Sequence, residues 1–346
     1  MNNKEFKIFL FGSYKNNTGP DNVNRNLISN YQHTIFYEKI TNPILKRIER
    51  LFYILKCDVV VFSGLCNITF WLNLSKLLKK KTVYLMHGYV SYEKEINKLE
   101  LNNNIENIEK EYFKKVDLIL PVSEKYKNWI VSKKVPEIKE KTYFLNSGIG
   151  ANITTDYKNF KNSKSKEKIV IVVAGGDRIQ KNNIDVCVAV ELLSKRIEQE
   201  IELQIYGRKY LNVDTFSQYP HTTYCGMVSQ EIFYERLKNS NIFILNSEVE
   251  SFGLSVVDAL LCGCNVLISE NSGILSVIDL EENDIIHNTH NPKEIADKLE
   301  AVLKNENFER ILSKIDFEHY SWQNVSERLY KICYALYKGT DYSSIR

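Results

Sequence analysis

"NIFILNSEVESFGLSVVDALLCG", residues 241–263, passes from an apolar run through a polar loop into a second apolar pattern. The run 241–246 reads as a strand, and the apolar residues that follow, Leu254, Val257, Leu260 and Leu261, recur at helical spacing. The helix therefore starts near Phe252-Gly253. Its first N–H groups have no internal partners and carry the positive end of the helix dipole. Gly253 allows a ligand to come close to that backbone, as phosphate sites require. Two acids, Glu250 and Asp258, flank the turn. Asp258 shares the apolar face of Leu254 and Leu261, where a carboxylate is costly unless hydrogen bonds satisfy it. A bound ligand, an internal cap or a salt bridge to a neighbouring element could each do so.

The same strand–loop–helix rhythm runs along the chain. The first half carries apolar runs at 7–12, 59–64, 82–88, 118–123 and 142–148, each ending in Gly or Ser, with helical patterns such as "PILKRIERLFYILKC" (43–57) between them. A polar stretch, 150–168, reads as an interdomain linker. The alternation resumes with runs at 169–176, 201–207, 222–226, 241–246 and 264–269, and the chain closes with helical patterns at 291–305 and 325–339. Strands apolar throughout and alternating with helices predict an α/β fold with parallel sheets covered on both faces. The expected assembly is two Rossmann-like, doubly wound domains facing across a cleft, residues 1–160 and 161–324. In such sheets ligands bind outside the carboxyl ends of the strands.

Composition bounds the function. The 346 residues are 44% hydrophobic and 26% charged, globular values that suffice for two cores. The most apolar stretch, "CDVVVFSGLCNITFWLNL", contains Asp58, Asn67 and Asn73, so no membrane span is expected, and the N-terminal run is too short for a signal peptide. Seven scattered cysteines argue for a reducing, cytoplasmic setting, with Cys262 and Cys264 as buried thiols rather than a metal site. The net charge of +3 conceals an asymmetry: residues 1–150 hold 24 basic and 15 acidic side chains, and the remainder 22 and 28. A basic first half suits nucleic acid, an anionic membrane, a phosphorylated substrate, or simply a solvated lysine-rich surface.

Several candidate residues sit at carboxyl ends of predicted strands. "AGGDRIQKNN" (174–183) makes a tight turn at Gly175-Gly176 and projects Arg178 and Lys181 beyond it, a pair suited to a diphosphate. An exposed charged loop is the plain alternative. Gly19-Pro20 opens a helix after the first strand, and His87-Gly88 ends the third apolar run, as a structural histidine or a substrate contact. There is no Walker-type loop, no G-x-G-x-x-G after the first strand and no D-x-D metal clamp. Phosphate charge is therefore expected to be met by Arg, Lys and a helix dipole, with no metal and no cofactor.

Taken in order, these pieces resemble the retaining glycosyltransferases of family 4, which have the GT-B fold. The series is Gly19, "HG" (87–88), "DLILPVSE" (117–124), "NSGI" (146–149), "GGDRIQKN", "LQIYG" ending at Gly207, the block from "YCGMVSQ" to "DALLCG", and "YSW" (320–322). The long block resembles the family's E-x7-E motif with F-G-L inside. The resemblance implies that Lys181 and Arg178 bind a donor diphosphate, and that Phe252, Gly253 and Leu254 present backbone N–H groups, with Gly207 among the substrate-binding positions. It further implies that Glu250 contacts the transferred sugar, Asp258 holds the ribose, Met227 and Val228 line the base pocket, and His87 and Gly19 face sugar and acceptor. Three departures stand out: the second acid is Asp258 rather than glutamate, "GCN" (263–265) lacks the usual proline, and Arg178 lies closer to Lys181 than is usual.

The implied activity is transfer of a hexose from a nucleotide diphosphate sugar, a UDP-sugar, to a saccharide or lipid-diphosphate-linked acceptor in surface polysaccharide or glycoconjugate synthesis. No nucleic-acid partner is expected. The basic segments 45–50 and 75–81 are expected to lie against an anionic membrane at its inner face, and the helix of about 325–346 to pack back on the first domain. A non-catalytic GT-B partner subunit that binds glycans, and a GT-B epimerase or phosphorylase, are the alternatives.

Overall fold

The structure, a computed structural model, describes residues 5–16, 18–65, 69–99, 103–150, 168–210 and 214–345. The stretch read as a linker lies almost wholly outside the described residues. By internal contacts the chain forms two compact units: Met1–Glu95, Leu99–Ala151 and Phe317–Arg346 make the first, and Ile96–Lys98 with Asn152–Asp316 the second.

In the first unit the apolar runs become β1 (Ile8–Phe11), β3 (Val59–Ser63), β4 (Lys81–Met86) and β5 (Leu118–Pro121), and β2 (Ile35–Tyr37) joins them. All pair in parallel in the order β2-β1-β3-β4-β5. Helices α1 (Gly19–Asn30), α2 (Pro43–Lys56), α3 (Thr69–Leu77), α4 (Val90–Ile96), α5 (Asn103–Lys115) and α6 (Glu124–Trp129) link or follow these strands. The run 142–148 does not make a strand. It bridges β5 at Thr142, and its Tyr143 and Leu145 N–H groups donate to Ile119 and Pro121 carbonyls. Its backbone is thus paired along the edge without a full ladder. The chain returns to this unit at Phe317: the Ile149 N–H donates to the Tyr320 carbonyl at 3.0 Å, and the Trp322 ring lies against Gly148, where a Cβ would come within 2.4 Å of it.

The second unit contains β6 (Lys168–Ala174), α7 (Asn183–Ser194), β7 (Glu200–Tyr206), β8 (Thr222–Gly226), α8 (Gln230–Lys238), β9 (Ile242–Leu245), α9 (Leu254–Leu261), β10 (Asn265–Ser269), β11 (Ile285–Ile286), α10 (Pro292–Lys304) and α11 (Phe308–Leu312). Its parallel sheet has the order β11-β10-β9-β6-β7-β8, which counted from the unit's first strand is the 3-2-1-4-5-6 order of dinucleotide-binding sheets. Val186, Val190 and Leu193 of α7 and Ile295, Leu299 and Val302 of α10 join one buried core under the sheet. Each such side chain stabilises by about 1.5–3 kcal/mol relative to exposure. The last helix, α12 (Trp322–Lys338), packs on α1 in the first unit.

The order in which successive strands are added reverses at one place in each parallel sheet: between β1 and β3 in the first unit, and between β6 and β9 in the second. A crevice opens at the carboxyl edge at such a point. In the second unit the loops after β6 and its neighbour on the other side, β7, touch through glycines. The Gly175 and Gly176 N–H groups both donate to the Tyr206 carbonyl, at 2.8 and 2.9 Å. A Cβ on Gly176, whose φ is +64°, would stand 2.1 Å from the Arg208 carbonyl oxygen, and one on Gly207 would stand 2.4 Å from the Gly176 nitrogen. We expect Gly176→Ala to lower stability by more than about 1 kcal/mol in denaturant unfolding, because both the φ and the space exclude a side chain. Gly19→Ala, where nothing lies within 4 Å of the added carbon, should be nearly neutral; equal losses at both positions would contradict this reading of the crossing.

Candidate active site

Lys181 reaches the switch point of the second unit on a single 3₁₀ turn, Ile179–Lys181, directly after the glycine crossing. Its stem lies against Gly175, where a Cβ would come within 2.7 Å of it. Its ammonium donates to Glu250 Oε2, and both side chains are largely withdrawn from water. Withdrawal from water pushes the Glu250 carboxyl up. The Lys181 charge and hydrogen bond, then Arg178 and the Phe252 N–H, outweigh it and hold the group below the ordinary carboxylate range. Arg178 is anchored by its Nε to the Gly175 carbonyl at 3.4 Å, with its guanidinium 5.8 Å from the Tyr210 ring centre. Lys181, Arg178 and Glu250 thus form one charged cluster.

The loop bearing Glu250 is held from both sides. The Glu250 N–H donates to the Asn271 carbonyl, while the Gly273 and Ile274 N–H groups donate to the carbonyls of Glu250 and Phe252. The Glu248 N–H donates to the Gln180 carbonyl at 2.8 Å, tying this loop to the Lys181 turn. Gly253, at φ +105°, stands at the N-cap of α9, and no side chain caps the helix there. Phe252 is buried, and Leu254 is the first residue of the helix. Backbone donors and two cations therefore share the carboxyl edge between β6 and β9, an arrangement suited to a diphosphate.

Asp258, one turn further along α9, is half-buried. Its partner is the hydroxyl of Tyr234 on α8. Burial pushes its carboxyl up to about 7, and the Tyr234 hydrogen bond offsets this only in part. Gly207 lies against the glycine turn and donates its N–H to the Gly226 carbonyl at 2.9 Å. Met227 and Val228 follow β8 at the sheet edge; Met227 is exposed and Val228 half-buried. These two are not part of the charged cluster.

His87 and Gly19 belong to the first unit. Gly19 is exposed as the first residue of α1, behind an N-cap made by Thr18. His87 ends β4 and is joined to residues that sequence reading missed. Its Nε2 lies 2.8 Å from Ser63 Oγ, and Ser63 Oγ lies 2.5 Å from Asn24 Oδ1. Asn24 donates its Nδ2 to the Ser13 carbonyl at 2.7 Å, which fixes the amide's orientation. The single Ser63 proton must then go to Asn24 Oδ1, so His87 Nε2 carries the proton and donates to Ser63. Burial depresses the imidazole to about 4, with the Asp21 carboxylate opposing it, so the ring is neutral and its Nδ1 is an acceptor. The signal for Ser63 was in the sequence: it closes an apolar run as "SG", at the switch between β1 and β3. Asn24 gave no such signal. Among the described residues no group of three or more His, Cys, Asp or Glu side chains could hold a metal ion. Cys262 and Cys264 are buried thiols whose Sγ atoms lie at the carbonyls of Tyr234 and Leu237.

These two sheets, with their carboxyl-edge loops, have the GT-B glycosyltransferase fold. The structure of Anabaena HepE in complex with UDP and glucose is similar with a TM-score of 0.67 at 12% identity, covering 95% of this chain and 100% of that one. Sucrose-phosphate synthase from Thermosynechococcus elongatus also gives 0.67, at 11% identity over 97% and 100%. The model of the family described as glycosyl transferases group 1 matches residues 155–318, which span the charged cluster and α9. Among curated proteins, a probable sucrose-phosphate synthase of Thermosipho melanesiensis is 25% identical over 56% of this chain and 47% of its own length. An N,N'-diacetylbacillosaminyl-diphospho-undecaprenol alpha-1,3-N-acetylgalactosaminyltransferase of Campylobacter jejuni is 31% identical over 23% of this chain and 21% of its own. The chain spans less than half the length of these curated relatives.

The raised Asp258 carboxyl has a consequence in pH. The folded protein keeps a proton there that the unfolded chain releases above about pH 4. This group therefore subtracts stability as pH climbs from about 4 to about 7, and by a constant amount above that. Asp258→Asn, which cannot ionise, should gain stability relative to the unaltered protein over that interval in chemical denaturation. A stability difference that does not change with pH would contradict the assignment.

Proposed function

We propose that the protein is a retaining, metal-independent hexosyltransferase. It takes its sugar from a nucleotide diphosphate sugar, a UDP-sugar, and delivers it to a saccharide or lipid-diphosphate-linked acceptor. The observation that carries the reading is the cluster of Lys181, Arg178 and Glu250 beside the uncapped N-terminus of α9, at the switch point of a nucleotide-binding sheet. Support for the donor comes from HepE, whose structure holds UDP and glucose. Support for the acceptor comes from the Campylobacter transferase, whose name specifies a diphospho-undecaprenol substrate.

In this reaction the acceptor oxygen bonds to the anomeric carbon as the bond from that carbon to the diphosphate oxygen breaks, on the same face of the sugar. The acceptor's proton passes to the departing diphosphate. Negative charge develops on the leaving group, and fixed cations and backbone donors lower its energy without reorganising. Lys181 and Arg178 supply the cations, and the N–H groups of Gly253 and Leu254 the donors. Glu250 is ionised, and accepts hydrogen bonds from sugar hydroxyls while keeping Lys181 in place. Asp258 is assigned to the ribose, Met227, Val228 and Gly207 to the nucleotide. In the first unit, which we assign to the acceptor, neutral His87 offers Nδ1 to a hydroxyl and Gly19 offers its open backbone.

Lys181→Ala and Glu250→Gln should each lower acceptor-dependent release of UDP from a UDP-sugar by about a hundredfold or more, in proteins that still fold but unfold at lower denaturant because the remaining partner is left unpaired. Activity close to that of the unaltered protein in both variants would refute the site. UDP release with no acceptor requirement would refute transfer.

A further inference from the structure

Helix α2 presents an unusual face to water. The one acid on it, Glu49, is turned inward, where it accepts the Lys39 and Ile40 N–H groups and the Tyr53 hydroxyl. Tyr53 stacks on Phe36 with ring centres 4.9 Å apart, and Arg50 lies over the Phe11 ring at 4.7 Å. The helix is therefore seated on the sheet by Ile54 and by polar and aromatic groups, and its aliphatic stripe points away. Ile44 is 70% exposed, Ile48 60% and Phe52 52%, and the adjoining α3 adds Phe70 at 61% and Leu77 at 78%. Between the two helices runs a groove of about 630 Å³ lined by Ile48, Leu51, Phe70 and Leu74 among others. Contiguous apolar surface of this kind on one face marks an interaction site.

On the surface of the two helices themselves the charge is basic. Glu38, just before α2, is buried and bound by Lys46 at 2.5 Å and Arg50 at 2.6 Å, Asp117 is held by Lys76 at 2.8 Å, and α3 contains no acid. Arg47 is exposed within the stripe, Lys56 lies over the Phe52 ring at 5.9 Å, and Lys79 is exposed beyond the end of α3. Lys80 binds the carbonyls of Leu55 and Cys57 at the end of α2. An apolar stripe edged by Lys and Arg, on a helix lying flat against its own domain, is the pattern of an interfacial membrane helix.

We propose that the α2–α3 face seats the protein on an anionic phospholipid bilayer, with Ile44, Ile48, Phe52, Phe70 and Leu77 at the headgroup–acyl boundary and Arg47, Lys56 and Lys79 on lipid phosphates. Charge complementarity selects this occupant. A second copy of the chain would bring the same cations face to face, and like charges across an interface oppose association. No residue of the diphosphate site takes part, so docking and transfer are separable.

The test is flotation of the full chain with vesicles of phosphatidylcholine alone or mixed with phosphatidylglycerol. The protein should bind the mixed vesicles at low salt, and about tenfold more weakly when phosphatidylglycerol is omitted or salt is raised. Ile48→Asp combined with Phe52→Asp, both on exposed positions, should keep the melting temperature and lose binding by about tenfold or more. Ile232→Asp, on an exposed position of α8, should change neither. Absence of binding by the unaltered protein, or equal binding by the double variant, would overturn the proposal. So would a dimer that the double variant abolishes and that vesicles fail to compete.

Discussion

A lysine and a glutamate that face each other out of water set the terms for the second unit. An ammonium or a carboxylate alone in that position would lose hydration it could not replace, and removing one member of such a pair is far costlier than replacing both. Lys181 and Glu250 arrive from loops after different strands, so each loop must be placed for the other to be tolerated. That requirement explains the backbone around them. The Gly175-Gly176 turn makes room for the lysine stem, the Glu248 N–H is tied to Gln180, and the 250–252 loop is sewn to 271–274. The pair is a structural lock and a ready set of charges at once.

The two switch points are built with different chemistry. In the second unit the carboxyl edge carries cations, a carboxylate and open backbone donors. In the first it carries a neutral relay, His87 to Ser63 to Asn24, ending on the Ser13 carbonyl. Strong charge suits a diphosphate, whose energy changes most during bond breaking. A neutral acceptor nitrogen suits hydroxyl recognition, where a full charge would demand its own counter-ion. The same sheet geometry thus offers two kinds of polar edge, decided by which few side chains follow the strands.

Much of this was legible in the sequence, and the reasons for the remainder are specific. Unbroken apolar runs gave the strands and their parallel arrangement, because a strand covered on both faces has no polar side to show. The run 142–148 has the same composition yet pairs only intermittently, since pairing depends on the neighbouring edge and not on the segment. Lys181, Arg178 and Glu250 were visible because charged residues after strands have few structural reasons to be there. Asn24 was not, because its meaning comes from Ser63, distant in sequence. Asp258 was recognisable as an acid on an apolar face, but its Tyr234 partner lies on another helix. The stripe on α2 has the spacing of a buried face. The inward turn of Glu49 and the exposure of Ile44, Ile48 and Phe52 reveal that it faces out.

We propose that the 175–181 turn and the 250–254 loop together hold a nucleotide diphosphate. Amide hydrogen exchange with and without UDP tests it most directly. Slowed exchange at the Gly253 and Leu254 amides, lost in Lys181→Ala, is the predicted result. UDP binding that leaves these amides unprotected, or protects them equally in the variant, would contradict the account.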